Sequence, residues 1–305
     1  MAFPIESKLV IGIASSALFD LTESNQVFEN QGADAYRAYQ EQHRQTPLAP
    51  GVAFPFIQRL LSLNEVFAEE QPVEVVLFSR NSPETGERVF HSIAHHSLPI
   101  TRAAFMSGRS PFAYLPAFNV SLFLSANEYD VRQAVLAGHP AGMVLPAALS
   151  LIDDDPQLRV AFDFDGVLAD DEAERVYKTA NLAAFEAHEV SRSDKPHNAG
   201  PLSVFFKGLG RLQQLAKATQ HDDLVRIAIV TARAAPAHQR VVTTLKSWGI
   251  TPDETFFLGG MNKARVLRIM KPHLFFDDQL SHLVTDDKEL AMVHIPFGVA
   301  NHAPL

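Results

Sequence analysis

The sequence predicts an α/β fold: two tandem three-layer units, each a parallel sheet covered by helices. Two observations carry this. Short apolar runs alternate with helix-forming segments along all 305 residues, the order that βαβ units produce. The order then runs through the chain a second time at matched spacing, as an internal repeat does.

Leu9-Val10-Ile11-Gly12-Ile13-Ala14 reads as a buried strand ending in small residues, and the polar stretch 20–45 carries helix formers such as Ala35, Tyr36 and Ala38. The Pro/Gly break at 46–51 ends that segment. A helix is expected over 55–63, then a buried strand over 73–78 that closes on Ser79-Arg80-Asn81. A helix over 85–95, a strand over 103–106, a helix over 111–118, a strand over 120–124, a helix over 127–137 and a strand over 141–145 complete the first half.

The second half gives a strand over 159–164, a long helix over 171–189, a polar loop over 191–200 and a helix over 201–218. Strands over 225–230, 254–258, 273–276 and 291–295 follow, with helices over 236–248 and 262–270. Placing Leu77-Phe78-Ser79-Arg80-Asn81 on Ile229-Val230-Thr231-Ala232-Arg233 also places Leu122-Phe123-Leu124-Ser125-Ala126 on Leu274-Phe275-Phe276-Asp277-Asp278 without a gap. Ser79 and Ser125 are 46 residues apart, as are Thr231 and Asp277. Phe105 then falls on Phe257, Gly108 on Gly260 and Leu115 on Leu267. The units are drawn as 1–152 and 153–305, with Asp153-Asp154-Asp155-Pro156 as a solvated linker.

Acidic residues outnumber basic ones by 35 to 26, which argues against a partner bound through a nucleic-acid backbone. The absence of cysteine excludes disulfides, thiolate catalysis and a cysteine zinc site, and it fits the cytoplasm. The apolar run 9–19 is short and interrupted by glycine, unlike a signal peptide. No other apolar run approaches the ~20 residues of a membrane helix.

In a parallel sheet, residues just past the strands meet at the carboxyl edge. In the second unit those positions carry Asp163 and Asp165, then Thr231 with Arg233 nearby, then Lys263 after Gly259-Gly260, then Asp277 and Asp278. Asp163 and Asp165, two apart, are expected to share one face of their strand. Carboxylates with a lysine and a hydroxyl suit Mg²⁺-assisted phosphoryl transfer, since hard oxygens hold the ion and positive charge offsets the transferring group. The first half has Ala14, Ser15 or Ser16, Pro111, Ser125 and Ala126 at the corresponding places, so the chemistry is expected in the second unit.

The ordered set Asp163-Phe164-Asp165-Gly166-Val167, Val230-Thr231-Ala232-Arg233, Lys263 and Phe276-Asp277-Asp278 resembles the four motifs of the haloacid dehalogenase-like phosphatases. Ser79-Arg80-Asn81-Ser82-Pro83, Ala117-Phe118-Asn119-Val120 through Glu128, Ala235-Pro236-Ala237-His238, Trp248-Gly249 and Phe256-Phe257-Leu258-Gly259-Gly260 are similar, more narrowly, to the cytosolic 5'-nucleotidase type I family. The resemblance implies two Rossmann-like units, the first degenerate and the second catalytic, with a helical cap inserted over about 169–220. It implies Asp163 as the nucleophile that becomes an aspartyl-phosphate, and Asp165 as the acid and base. Thr231, Ala232, Arg233 and Lys263 would hold the substrate phosphate, Lys263 also orienting Asp163; Arg233 could instead pair with a nearby carboxylate. Mg²⁺ would be bound by Asp163, Asp277 and the Asp165 carbonyl, with Asp278 close behind. The implied substrate is a nucleoside 5'-monophosphate such as AMP or IMP, with room for a nucleotide effector and a homo-oligomer.

Two other functions fit the same residues: a phosphatase of sugar phosphates or other small phosphomonoesters, and a nucleotide-binding regulator without turnover. Lys178, Asn181, Phe205, Phe206 and Lys207 lie where a cap would contact the nucleoside, although the two phenylalanines read better as core. His91 and His95, four apart on a helix, have no third ligand in view and read as a solvated or packed pair. Ser79-Arg80-Asn81 imitates a phosphate-holding strand end in a half without a nucleophile; it reads as turn, interface or effector site.

Overall fold

The computed structural model describes residues 3–148, 155–284 and 289–301. Ten strands form one sheet: β1 (Leu9–Ala14), β2 (Val73–Ser79), β3 (Arg102–Phe105), β4 (Leu122–Ser125), β5 (Ala141–Val144), β6 (Leu158–Phe162), β7 (Val225–Thr231), β8 (Glu254–Phe257), β9 (Leu274–Asp277) and β10 (Met292–His294). Their order is β3-β2-β1-β4-β5-β10-β9-β6-β7-β8. Read inward from either end, the strands of each half come in the same sequence: third, second, first, fourth, fifth. Within each half the described pairings are parallel, and the halves join through an antiparallel pair, Val293 on Val144 and His294 on Met143. The carboxyl ends of the two sets of strands therefore open on opposite edges of the sheet.

The correspondence extends to individual bonds. Ile11 pairs Leu122 in the first half and Val160 pairs Leu274 in the second; Ile13 pairs Leu77 and Phe162 pairs Ile229. After β2, Met106 N donates to Ser79 O at 2.9 Å and Gly108 N to Arg80 O at 2.6 Å; after β7, Leu258 N donates to Thr231 O at 3.0 Å and Gly260 N to Ala232 O at 3.0 Å. In each half the chain makes an excursion after the first strand, closed at its stem by an isolated bridge. Phe19 pairs Pro50 around 20–49, and Ala169 pairs Ala199 around 170–198.

The inner strands β1, β2 and β6 are buried along their length because they are largely apolar on both faces, as covered parallel strands must be, whereas the edge strands β3 and β8 are half-buried. Helices Phe54–Val66 and Ser203–Ala218 cover them from one side and meet each other through Phe56 and Phe205, ring centroids 6.3 Å apart. Phe205 and Phe206 are fully buried against Phe162, each burial stabilising by about 1.5–3 kcal/mol. Leu9, Ile11, Phe56, Phe162, Phe205 and Phe276 belong to one apolar cluster, so the two halves share a core.

Several expectations change here. The long helix expected over 171–189 is two, Glu172–Thr179 and Leu182–Ser191; the first ends before Ala180, and Asn181 caps the second, its Oδ1 accepting from Ala184 N at 3.0 Å. Residues Phe112–Phe118 wind as a 3-10 helix with Pro116 inside it. Helix Ser203–Ala218, expected within the cap, packs on the sheet because its apolar stripe is continuous with the core. The unit boundary expected at 152/153 lies outside the described residues. Among the described residues no helix is long and apolar enough to cross a membrane.

Candidate active site

β6 stops at Phe162, which makes Asp163 the first residue beyond the sheet. Its amide donates to Phe276 O at 2.8 Å, tying it to β9, and its Oδ1 accepts from Phe164 N at 2.7 Å. Asp277, the last residue of β9, is fully buried. Lys263 precedes helix Ala264–Met270 and reaches both: its Nζ lies 2.8 Å from Asp163 Oδ2 and 2.7 Å from Asp277 Oδ2. His282 Nδ1 is 3.3 Å from each Asp277 oxygen. Asp278 is buried with no hydrogen-bond partner for either carboxylate oxygen. Gly166 makes room for it: its φ is +69°, and an added Cβ would sit 2.4 Å from Asp278 Oδ2.

These contacts set the charge states. Burial pushes the Asp163 carboxyl up to about 7 against the pull of Lys263, with Asp277 and Asp165 adding to the push. Burial, joined by Asp163 and Glu174, pushes Asp278 up to about 10. Asp277 goes the other way: burial alone would raise it, but Lys263 and His282 hold it below the usual range. Lys263, which burial would lower, is held above its ordinary value by Asp163 and Asp277. Three carboxylates thus face one lysine.

Thr231 is buried at the end of β7, where its hydroxyl accepts from Arg233 N at 3.3 Å. Ala232 is exposed beside it. Arg233 turns toward Asp165. Its Nε is 2.7 Å from Asp165 Oδ2 and its Nη2 2.6 Å from Asp165 Oδ1, while Nη1 bonds Glu189 Oε2 and, at 3.2 Å, Ala237 O. Nη2 also lies 3.2 Å from His197 Nε2. Glu189 is buried on helix Leu182–Ser191 and also takes Arg240 Nη1 at 2.8 Å. A buried chain of charges therefore runs from Asp165 into the excursion 170–198.

The family model for 5'-nucleotidases matches residues 1–302 of the chain. The chain belongs to the 5'-nucleotidase family. Cytosolic 5'-nucleotidase 1B of Homo sapiens is 34% identical over 286 residues, which cover 91% of this chain and 47% of that protein. The chain thus spans about half the length of this curated relative. No solved structure matches it.

In this 5'-nucleotidase-family chain, Asp163, Lys263 and Asp277 are in direct contact, with Asp278 behind them. Asp165 and Asp163 do not share a strand face, because β6 ends before both and the turn aims Asp165 at Arg233. Of the two roles open to Arg233, substrate phosphate or a nearby carboxylate, the structure shows the second, with every guanidinium nitrogen engaged by protein atoms. Lys178 pairs with Glu174 at 3.2 Å, Asn181 is a helix cap, Phe205 and Phe206 are core, and Lys207 lies 5.1 Å from the Trp248 ring centroid. The sequence reading missed His282, Glu174, Glu189, His197 and Arg240. His282 had a signal, a metal-capable side chain five residues after Asp277, whereas the others are joined only by folding.

Proposed function

We propose that the chain is a phosphomonoester hydrolase that converts nucleoside 5'-monophosphates, AMP-like or IMP-like, to nucleoside and phosphate through a phosphorylated Asp163. The observation that carries this is Lys263 bridging Asp163 and Asp277 at the strand ends of a 5'-nucleotidase-family chain. The relative's name, cytosolic 5'-nucleotidase, supports the substrate class and the cytosol.

The residues fit a divalent cation. Asp163, Asp277 and His282 each offer a ligand atom within 4.8 Å of the others, and the two Asp278 oxygens lie buried beside them without hydrogen-bond partners, which is costly for buried polar atoms. We assign Mg²⁺ to Asp163, Asp277 and the Asp165 carbonyl, with Asp278 alongside, because these are hard oxygen donors. When bound, the ion would offset charge on the phosphoryl oxygens.

Asp163 attacks phosphorus through a carboxylate oxygen, and the bond from phosphorus to O5' breaks. O5' takes its proton from Asp165. Asp165 then removes a proton from water as that water attacks phosphorus, and the bond to Asp163 breaks to release phosphate. Lys263 opposes the protonation of Asp163 that burial favours and holds it in place beside the substrate; Thr231, with the amides of Ala232 and Arg233, holds the phosphoryl oxygens. In this reading the first half, about 1–152, is a degenerate haloacid dehalogenase-like unit. The second is catalytic, and helices Glu172–Thr179 and Leu182–Ser191 are its cap. The shared strand order and paired hydrogen bonds support the duplication.

Phosphate release from a panel of nucleoside monophosphates and sugar phosphates, with Mg²⁺ or with chelator, tests the assignment. Mg²⁺-dependent release from nucleotides that Asp163→Asn abolishes is the expected result; activity confined to sugar phosphates would move the substrate class.

A further inference from the structure

The first half repeats the strand ends of the second on the opposite edge of the sheet, and there they enclose a cavity of about 210 Å³. Its polar wall includes Ser15, Ser16, Ser79, Asn81, Asn127 and Asp130. Tyr36 comes from the excursion 20–49 to line it as well, donating to Asn81 Oδ1 at 2.9 Å and leaving the Asn81 amide NH₂ free to donate elsewhere. A second cavity, of about 380 Å³, shares Ser16, Leu21, Asn25 and Ala126 with it.

The local geometry is that of the second half. Asn81 N donates to Ser79 Oγ at 3.2 Å as Arg233 N does to Thr231 Oγ1 at 3.3 Å. Asn127 N donates to Ser125 Oγ at 3.0 Å as Gln279 N does to Asp277 Oδ1 at 2.9 Å. The places of the attacking carboxylate and the lysine are taken by Ala14 and Pro111. Hydroxyls, amides, backbone N–H groups and the Asp130 carboxylate remain, but neither a carboxylate nor a lysine stands at the place the second half uses.

Asp130 gives the cavity its selectivity. It is 2% exposed, with the Ser110 hydroxyl near its carboxylate but no partner for Oδ1 in ordinary hydrogen-bond geometry, so the buried carboxylate has room for a further donor. Arg80, 40% exposed at the rim, is 3.3 Å from Oδ2 and offsets its charge. A donor-rich wall with one unpaired acceptor suits a tetrahedral oxyanion that still carries a proton, its bare oxygens accepting and its P–OH donating. We propose that this cavity binds the phosphoryl group of a small molecule, as inorganic phosphate or a phosphomonoester, without hydrolysing it. The comparison with Thr231 rests on the function proposed above, whereas the cavity, its donors and Asp130 do not.

The test is an amide-resolved NMR titration of the full chain carrying Asp163→Asn, with inorganic phosphate, 5'-AMP, adenosine and sulfate as separate probes. Phosphate is expected to cause saturable shifts at the amides of Arg80, Asn81 and Asn127. Arg80→Met, at an exposed position, should raise half-saturation about tenfold, the value of one charge-assisted hydrogen bond. Lys263→Met should leave these amides unaffected while removing any response at Thr231 and Arg233, so failure of the catalytic reading shows separately. A response to 5'-AMP alone would support the proposal with a phosphomonoester as the source. No saturable shift at Arg80, Asn81 and Asn127 would overturn it, as would adenosine acting as strongly as 5'-AMP, sulfate matching phosphate, or Arg80→Met changing nothing.

Discussion

Arg233 grips both carboxylate oxygens of Asp165 in a fork, at 2.7 and 2.6 Å, from a site that is 2% exposed. A carboxylate held this way keeps only its outward lone pairs for a proton, and the two parallel bonds fix the direction in which they point. The far side of the guanidinium is anchored on Glu189, in the segment proposed as the cap. Asp165 is thereby coupled to the position of that segment.

Arg233→Lys keeps the charge and removes the fork. A lysine cannot make two parallel bonds to one carboxylate while reaching Glu189 and Ala237. If Arg233 positions Asp165, kcat should fall about 10²-fold, the cost of misplacing a reacting group, with KM nearly unchanged. A rise in KM at constant kcat would instead make Arg233 a substrate-phosphate ligand. Steady-state kinetics on a nucleoside monophosphate distinguishes these outcomes.

Glu189 should show itself in the acid limb of stability. Burial would raise its carboxyl, but the His197 hydrogen bond and the Arg233 charge outweigh that and hold it well below the usual range. A depressed folded value contributes stability that is fully present above the unfolded value near ~4.3 and lost as pH falls through the folded one. Glu189→Gln should therefore cost about 3–5 kcal/mol at neutral pH, the cost of breaking a buried pair. Its deficit against wild type should shrink steadily below about pH 4.3. Denaturant midpoints of both proteins at a series of pH values check this; parallel curves would mean that Glu189 is not held by its partners.

The parts of the fold and site that were legible in the sequence are those that depend on chain order. Strands such as Val73–Ser79 and Val225–Thr231 are continuous apolar runs, so their existence and the repeat between them can be read directly. Asp163, Lys263 and Asp277 each follow or flank a strand end, and parallel strands bring such positions together whatever their separation. The Arg233–Asp165 fork spans 68 residues and rests on side-chain direction, which no periodicity encodes. The antiparallel β5–β10 join was likewise hidden, because the strands Ala141–Val144 and Met292–His294 read alike for either pairing. Asn181 was a usable signal for the helix break, being a capping residue inside an apparent helix.

Lys263 should be as much a structural residue as a chemical one. Replacing it with methionine leaves Asp163 and Asp277 buried together without the lysine that bridges them, at a cost of about 3–5 kcal/mol. A divalent cation in the same place would restore part of the balance. Thermal unfolding with and without Mg²⁺ should show a larger stabilisation by the ion in Lys263→Met than in wild type. No stabilisation in either protein would count against the metal assignment.

Gly200 offers a way to move the proposed cap without touching a charged group. Its amide donates to Leu168 O at 2.7 Å where the excursion 170–198 closes, and an added Cβ would lie 2.2 Å from the Ala169 carbonyl oxygen. That oxygen belongs to backbone and cannot swing aside as a side chain would. Gly200→Ala must therefore separate the stems, at a cost of about 1–3 kcal/mol. Gly249→Ala is the control: its φ of +68° makes alanine strained there too, but the added atom meets nothing within 4 Å, so it should cost about 1–2 kcal/mol without displacing a neighbour. Both variants should unfold earlier than wild type. Only Gly200→Ala should also lower kcat, because shifting the stems moves Glu189 and, through Arg233, Asp165. Equal kinetics in the two variants at matched stability would uncouple the excursion from the carboxylates proposed to act on substrate.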